Sequence, residues 1–196
     1  MKKAIIGAGG FAREIRAHMN DDDILMFVDD IYHDGKNKYI KKLSDLNVEE
    51  YEVIVGIGDP LLRAGIVSRL PQNTKFFSFI HPSALILDND IFIGEGSIIC
   101  ANVILTTNIA IGEHAHLNLK TTIGHDCIIG GYFTTAPGAS ISGNCNIGNN
   151  VYIGTNASIK EKINICSNVT IGLNAGVVKN IEKSGTYIGT PAKRIE

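Results

Sequence analysis

The sequence contains no tryptophan, and aromatic residues make up 7 % of its 196 positions. Little aromatic surface is therefore available on which bases or sugars could stack. The chain also has no block of lysine and arginine, and its formal net charge is −2. A basic patch is the usual electrostatic footprint of proteins that bind nucleic acids or membrane surfaces. We therefore expect neither a nucleic-acid partner nor a membrane partner.

Long apolar runs are also missing, since none approaches the ~18–20 residues of a membrane-spanning helix. The apolar stretch at the N-terminus is interrupted by Gly7, Gly9 and Gly10 and then by charged residues, so no secretory signal peptide is predicted. The four cysteines show neither CxxC spacing nor a Cys/His ligand pattern. We therefore predict buried free thiols, no metal site and a cytoplasmic protein.

Strands and helices alternate over roughly the first eighty residues, which is the pattern of a parallel α/β sheet. Apolar runs predict strands at 3–7, 25–28, 52–58 and 75–79, and helical spacing predicts helices at 11–18 and 61–70. Residues 31–50 are polar and poorly periodic, so we predict a loop there with a weak helix near 43–47. Three or four strands amount to half of a dinucleotide-binding fold.

From Leu87 onward the sequence repeats every six residues. Fifteen of the sixteen positions taken at that interval, up to Val177, are aliphatic, and Thr135 is the exception. A small or apolar residue recurs four positions after each aliphatic residue, and glycine often stands directly after the aliphatic residue. This period fits neither a helix nor a simple strand, but is typical of a solenoid with three flat faces and ~18 residues per coil. We expect the register to run unbroken to Val177.

The predicted fold class is an α/β half-Rossmann domain followed by an all-β left-handed parallel β-helix. We place the small α/β domain at residues 1–80 and the β-helix, with a C-terminal tail, at residues 81–196. A purely structural solenoid would show the same periodicity. Any function therefore has to be argued from particular side chains.

His125 lies two residues after an inward-facing isoleucine and is followed by Asp126, so the pair is predicted on a turn of the solenoid. Imidazole titrates near neutral pH, and an adjacent carboxylate holds its tautomer and raises its basicity. The pair fits a general base for acyl transfer, and a surface histidine without a catalytic role is the alternative. His114 and His116 are rival bases, although neither is directly followed by an acid as His125 is by Asp126.

Gly143 follows His125 by eighteen residues and is therefore expected to stack on it, one coil further along the solenoid. A backbone N–H at that point can stabilise the oxyanion that develops when a thioester is attacked. We hypothesise this role for Gly143. An ordinary turn glycine is the alternative interpretation.

The N-terminal pattern Gly7-x-Gly9-x-x-Ala12 comes after a predicted strand and before a predicted helix, with Asp29 twenty residues beyond Gly9. Glycines at the N-terminus of a helix allow backbone N–H groups to receive a diphosphate. A sugar nucleotide and a dinucleotide such as NAD both carry a diphosphate that could bind at such a site. Tight turns without a ligand are the structural alternative.

Six motifs spread over essentially the whole chain resemble those of one protein family. They are Gly7-Ala8-Gly9-Gly10, Val28-Asp29-Asp30, Gly56-Ile57-Gly58, Ile80-His81-Pro82-Ser83-Ala84, Ile123-Gly124-His125-Asp126 and Gly189-Thr190-Pro191-Ala192-Lys193-Arg194. The chain resembles the hexapeptide-repeat sugar O- and N-acetyltransferases, which include those of sialic acid and of the UDP-4-amino sugar of the bacillosamine pathway. The resemblance implies a homotrimer that uses acetyl-CoA as co-substrate and needs no metal.

The resemblance also implies roles for individual residues. It makes His125 the general base, with Asp126 where the family has a glutamate. It implies nucleotide-sugar contacts for Gly9, Gly10, Phe11, Asp29, Asp30, Gly58 and Leu61. It implies acetyl-CoA contacts for Thr134, Thr155 and Leu173.

We therefore predict an acetyl-CoA-dependent N-acetyltransferase of a UDP- or dTDP-linked 4-amino-4,6-dideoxy sugar. O-acetylation of sialic acid or a related sugar is the main alternative, and an NAD-binding or non-enzymatic protein is another. Serine O-acetylation is disfavoured because serine acetyltransferases carry a helical N-terminal region. A γ-class carbonic anhydrase is disfavoured because the spacing of the histidines does not match its three-histidine zinc site.

Overall fold

The computed structural model describes residues 1–19 and 23–195, so residue 196, the end of the predicted second domain, lies outside the described residues. The N-terminal part is a five-stranded parallel sheet with the order β3-β2-β1-β4-β5. Its strands and helices are β1 (Lys2–Ile6), α1 (Gly10–Met19), β2 (Leu25–Val28), β3 (Ile40–Lys42), β4 (Tyr51–Val55), α2 (Pro60–Val67) and β5 (Lys75–Phe76). Short 3-10 turns at Asp30–Tyr32 and Leu43–Asp45 flank β3.

The two faces of this sheet are covered by different helices. Ile5 and Ile54 are buried against Ile15 of α1, whereas the alternate residues Ile6 and Val55 belong to the cluster that also contains residues of α2. Neighbouring residues of a strand point to opposite faces, so continuously apolar strands predict a sheet that is covered on both sides. The predicted α/β architecture is confirmed.

Two strand predictions in this part need correction. The segment 31–50 contains strand β3, which was predicted as loop because Lys41 and Lys42 are polar and exposed. The strand lies at the sheet edge, where polar side chains are common and apolar alternation is weak. The predicted strand at 75–79 is divided, since β5 pairs with β4 whereas Phe79 and Ile80 pair with the solenoid. The domain limits 1–80 and 81–196 stay a prediction.

From Phe79 onward the chain winds into the left-handed parallel β-helix that the period of six predicts. Its strands are β6 (Phe79–Ile80), β7 (Leu85–Ile86), β8 (Phe92–Ile93), β9 (Ile98–Ile99), β10 (Ile104–Leu105), β11 (Ile109–Ile111), β12 (His116–Leu117), β13 (Thr122–Ile123), β14 (Cys127–Ile129), β15 (Thr134–Thr135), β16 (Ser140–Ile141), β17 (Asn146–Ile147), β18 (Tyr152–Ile153), β19 (Ser158–Ile159), β20 (Asn164–Ile165), β21 (Val169–Ile171), β22 (Gly176–Val177), β23 (Gly185–Ile188) and β24 (Lys193–Ile195). No helix in residues 1–19 and 23–195 has the length and apolar character needed to cross a membrane.

From β6 to β22, every third strand belongs to the same face of the solenoid. Strands β23 and β24 extend the first of these sheets, and β24 runs antiparallel to β23. The first sheet contains β6, β9, β12, β15, β18, β21, β23 and β24, the second contains β7, β10, β13, β16, β19 and β22, and the third contains β8, β11, β14, β17 and β20. Aliphatic side chains from all three sheets meet on the axis, where Leu105, Ile111 and Leu117 are completely buried. Thr135 also points inward, and its hydroxyl is satisfied by Thr121 at 2.7 Å.

The turns of the solenoid place every sixth residue in the left-handed backbone region. These residues are Gly96, Asn102, Asn108, His114, Lys120, Asp126, Tyr132, Gly138, Asn144, Asn150, Asn156, Lys162, Asn168 and Asn174. Asparagine, aspartate and glycine tolerate this conformation better than other residues do, which explains why asparagine recurs there. Asp126 is one member of this series.

The predicted register is wrong at its first position. Leu87 is 62 % exposed, and Ile86 is the residue that pairs with Leu105. The turn between β7 and β8 holds one extra residue, so the period of six begins only at Ile93, which pairs with Ile111. Since β7 and β8 are the terminal strands of their sheets, no further coil constrains this turn.

Arg63 of α2 joins the N-terminal part to the solenoid. Its side chain is completely buried. The guanidinium donates hydrogen bonds to the backbone carbonyls of Ile57, Gly58, His114, Tyr132 and Phe133, and to the hydroxyl of Thr134. Burial lowers the pKa of Arg63 to about 9, so the side chain stays a cation at neutral pH. Carbonyl dipoles from both parts of the chain stabilise this charge.

Candidate active site

The second sheet of the solenoid passes into the third along a line that we call the His125 edge. It consists of residues 107–108, 125–126 and 143–144 in three successive coils. The side chain of His125 is 56 % exposed, and its Nδ1–H donates a hydrogen bond to Asp126 Oδ2 over 2.6 Å. With the proton on Nδ1, the lone pair of Nε2 is available to accept a proton.

The carboxylate of Asp126 is bound on its other side by a second residue of the same edge. Asn108 Nδ2 donates to Asp126 Oδ1 over 2.6 Å. The hydrogen bonds from His125 and, second in size, from Asn108 hold the pKa of Asp126 below its usual range. Asp126 is therefore ionised at neutral pH, and it stabilises the imidazolium that forms when His125 takes up a proton.

Gly143 lies against the imidazole, one coil beyond His125. A Cβ atom at this position would come within 2.7 Å of both Cε1 and Nε2 of the ring. That distance is shorter than any side chain can accept, so the ring keeps its position only because residue 143 is glycine. The role of the Gly143 N–H toward an oxyanion stays a prediction.

The rival histidines have a different environment. His114 and His116 are 2 % and 1 % exposed, and His116 belongs to β12 instead of a turn. Burial lowers the pKa of His114 to about 4 and that of His116 well below its usual range, and the charge of Arg63 lowers both further. Both rings are therefore neutral and covered by the N-terminal part, which makes them unsuitable as bases for an external substrate.

A second feature is a cleft of about 830 Å³ at the carboxyl ends of the strands of the N-terminal sheet. The turn after β1, the end of β2 and one side of α2 form its walls, and Gly7, Gly9, Asp29, Leu61 and Arg69 are among its lining residues. In the sheet, β2 lies on one side of β1 and β4 lies on the other, so the direction in which strands are added reverses at β1. The cleft lies at this topological switch point, where such sheets bind ligands. Its size suits a nucleoside diphosphate.

The predicted nucleotide-sugar residues fall into two groups. Gly9, Asp29 and Leu61 line the cleft. The side chain of Phe11 instead lies 5.2 Å from the ring of His116, between centroids, and the carboxylate of Asp30 accepts hydrogen bonds from the backbone N–H and hydroxyl of Ser44. Gly10 begins α1, and the carbonyl of Gly58 accepts from Arg63 and Thr134.

The residues predicted to contact acetyl-CoA also fall into two groups, one buried and one exposed. Thr134 is buried, and its hydroxyl is held between the guanidinium of Arg63 and the carbonyl of Gly58. It therefore contributes to the contact between the two parts of the chain, a contact that no pattern in the sequence predicts. Thr155 and Leu173 are exposed and stack on one another at the edge where the first sheet passes into the second.

Three residues near these features were not predicted. Asn108 could have been found, because it precedes Asp126 by eighteen residues, the same interval that relates His125 to Gly143. Arg69 pairs with Asp29 at 3.4 Å in the cleft, and Arg63 joins the two parts. Neither arginine carries a local signal in the sequence. Within residues 1–19 and 23–195, no group of three or more His, Cys, Asp or Glu side chains is placed to hold a metal ion.

The N-terminal part matches a known family, and the whole chain matches solved structures. Residues 2–70 match the family model described as the PglD N-terminal domain. Among curated proteins, no significant sequence match was found.

The solved structures that are similar over nearly the full length include those of three different proteins. The acetyltransferase domain of PglB from Neisseria gonorrhoeae in complex with acetyl coenzyme A is 28 % identical, with a TM-score of 0.87 and coverage of 99 % of this chain and 98 % of that chain. WeeI from Acinetobacter baumannii is 29 % identical, with a TM-score of 0.88 and coverage of 98 % and 99 %. PerB from Caulobacter crescentus, in complex with CoA and GDP-perosamine, is 25 % identical, with a TM-score of 0.86 and coverage of 98 % and 96 %. The resemblance predicted from the motifs is confirmed.

Proposed function

We propose that this chain, a hexapeptide-repeat sugar acetyltransferase by its fold and its matches, transfers the acetyl group of acetyl-CoA to the amino group of a nucleotide-linked sugar. The observation that carries the proposal is the hydrogen-bonded pair of His125 and Asp126 on an exposed edge of the solenoid, at 2.6 Å. The same chain holds a cleft of nucleotide size at the switch point of its N-terminal sheet. Base and nucleotide cleft are two of the parts that such a transfer needs.

The proposed reaction begins with a neutral amine, which attacks the thioester carbonyl of acetyl-CoA. A C–N bond forms, and the proton of the attacking nitrogen passes to Nε2 of His125. The C–S bond then breaks, and the CoA sulfur leaves with the proton that the imidazolium returns. Asp126 stabilises the imidazolium between these two proton transfers.

The nucleotide part of the substrate is assigned to the N-terminal cleft. Backbone N–H groups of the turn through Gly9, at the N-terminus of α1, suit the diphosphate. Asp29 at the end of β2 suits the ribose hydroxyls, and Leu61 supplies an apolar wall. UDP and dTDP were predicted for the nucleotide, and the match to PerB, whose structure contains GDP-perosamine, adds GDP to the panel to be tested.

We propose a trimer because the predicted acetyl-CoA contacts and the predicted base lie on two different edges of the solenoid. Thr155 and Leu173 lie on the edge between the first and second sheets, whereas His125 lies on the edge between the second and third. Packing of these two edges from different copies would bring acetyl-CoA contacts to the base. Light scattering tests this, since the trimer has three times the 21.1 kDa of one chain. A monomer with full activity would contradict the proposal.

The cytoplasmic location of the protein also stays a prediction from the sequence.

The proposed function is tested by following CoA thiol release with acetyl-CoA and a panel of UDP-, dTDP- and GDP-linked 4-amino sugars. We expect release with at least one of these amines. The matching 4-hydroxy sugars and free sialic acid should release no thiol above background. Release with the hydroxyl compounds alone would instead support O-acetylation, and no release with any acceptor would contradict an acetyltransferase of sugars.

Substitution Gly143→Ala is expected to lower kcat at least tenfold with little change in the KM for acetyl-CoA. The added methyl group would displace the imidazole, whose Cε1 and Nε2 lie 2.7 Å from its position, and a misplaced base loses most of its contribution to the rate. Steady-state kinetics of thiol release provides the measurement. Gly131→Ala is the matched control, because a Cβ at Gly131 meets nothing closer than 3.4 Å. Equal losses in the two variants would refute this account.

A further inference from the structure

Asn108 lies on the His125 edge one coil before Asp126. Its Nδ2 donates to Asp126 Oδ1 over 2.6 Å, while the other carboxylate oxygen accepts from His125, also over 2.6 Å. We propose that Asn108 is a positioning residue of the acetyl transfer, which acts on the base through Asp126. This inference rests on the proposed function and adds a residue to it.

The carboxylate of Asp126 is half-exposed and needs a second contact to keep one orientation. A carboxylate with a single hydrogen bond can rotate about its Cβ–Cγ bond and exchange the oxygen that it offers. The amide of Asn108 binds Oδ1 and thereby directs Oδ2 toward Nδ1 of the imidazole. A fixed Oδ2 holds the ring orientation, and with it the position of Nε2.

Asn108 is itself held by the preceding coil. Its backbone N–H donates to Asp90 Oδ1 over 2.8 Å, and the hydroxyl of the adjacent Thr107 donates to Asp88 Oδ2 over 2.9 Å. The hydrogen bonds therefore continue along the edge from the first coil to the base. From the following coil, Asn144 Nδ2 approaches His125 Nδ1 only to 3.5 Å, so Asn108 is the shorter contact to the pair.

The backbone of Asn108 permits a clean test. Asn108 has a φ of 50°, and Gly96 and Gly138 occupy the same register position in other turns with φ of 69° and 73°. Substitution by glycine therefore removes the amide and preserves a conformation that this solenoid already uses. Alanine would add backbone strain and confuse the result.

Asn150 provides a matched control. It has a φ of 56°, and its Nδ2 donates to Asn168 Oδ1, eighteen residues on, over 3.1 Å. The contact has the same form as that of Asn108, but it lies on the edge between the third and first sheets, away from His125. Asn108→Gly and Asn150→Gly thus each remove one asparagine side-chain hydrogen bond to the next coil, and only Asn108 contacts the proposed catalytic pair.

We expect Asn108→Gly to lower kcat about tenfold, the size that accompanies loss of one hydrogen bond to a charged group. The KM values for acetyl-CoA and nucleotide sugar should stay close to those of the wild type, and the melting temperature should match that of Asn150→Gly. Asn108→Asp, which places a second carboxylate against Asp126, should lower kcat further. Asn150→Gly should keep the wild-type kcat.

Equal kcat values for Asn108→Gly and Asn150→Gly would overturn the inference, and so would an effect of Asn108→Gly on KM alone. A His125→Ala variant measured in parallel separates this failure from that of the proposed function. If His125→Ala is inactive and Asn108→Gly is fully active, the base stands and the positioning role fails. If His125→Ala is active, the proposed base itself fails.

Discussion

Replacement of His125 by alanine is expected to lower kcat about a thousandfold, within the range that general-base catalysis contributes. The methyl group cannot accept the proton of the attacking amine, and Asp126 stays at its position with no imidazolium to stabilise. The side chain is more than half exposed, so its removal opens no cavity and the melting temperature should change little. The nucleotide cleft lies on other elements and should keep its affinity for nucleotide sugar.

The measurement is thiol release at saturating concentrations of both substrates, with nucleotide-sugar binding followed by calorimetry. His81→Ala is the control, because Nδ1 of His81 also has a local side-chain partner, Ser83 Oγ at 2.8 Å, but forms no ion pair with a carboxylate among residues 1–19 and 23–195. We expect full activity from this control. A His125→Ala variant with more than a tenth of the wild-type kcat would remove the base assignment.

Substitution Arg63→Met is expected to destabilise the chain by about 3–5 kcal/mol, because each buried acceptor left without its donor costs about 1–3 kcal/mol. Methionine fills much of the same volume but offers no donor to the carbonyls of Ile57, Gly58, His114, Tyr132 and Phe133. Relief of the cost of burying the cation offsets part of this loss. The carbonyls belong to both parts of the chain, so the contact between them should loosen.

Thermal unfolding measures this effect, and we expect the melting temperature to fall by about 10 °C. Hydrogen exchange at residues 56–59, which include the Ile57 and Gly58 carbonyls that the Arg63 side chain binds, should also accelerate. Arg69→Met is the control for stability, because Arg69 is 58 % exposed and such ion pairs contribute little. If both variants melted at the same temperature, Arg63 would not be the residue that joins the two parts.

The solenoid was predictable because its order is local and repeated. Each coil buries the same kind of side chain at the same position, so the fourteen aliphatic residues in register between Ile93 and Val177 outweigh any single exception. The prediction was wrong only where the repeat has no neighbour, at Leu87 in the terminal turn. The same interval of eighteen residues relates His125 to Gly143 and Asp126 to Asn108. The positions of Gly143 and Asn108 beside the pair could therefore be derived from the sequence, although only that of Gly143 was predicted.

The N-terminal part was less predictable, because its elements are short and occur once. Strand β3 is polar and lies at an edge, so no apolar alternation marks it. The pairing of Asp29 with Arg69 joins the ends of β2 and α2, which are forty residues apart in the chain. No spacing rule predicts such a contact.

By itself, the sequence determined the β-helix and the turn that holds His125 and Asp126, since both depend on neighbours a fixed interval away. The alternation of apolar strands and helices determined the half-Rossmann sheet. Only the tertiary structure decided which polar residues become inaccessible. The docking of α2 on the first sheet of the solenoid buries Arg63, His116 and Thr134. The rival base His116 and the predicted acetyl-CoA contact Thr134 are therefore not available at the surface. Such docking depends on the shapes of two surfaces that are far apart in the sequence, and on the hydrogen-bond donors and acceptors that they carry. Periodicity carries no information about that fit.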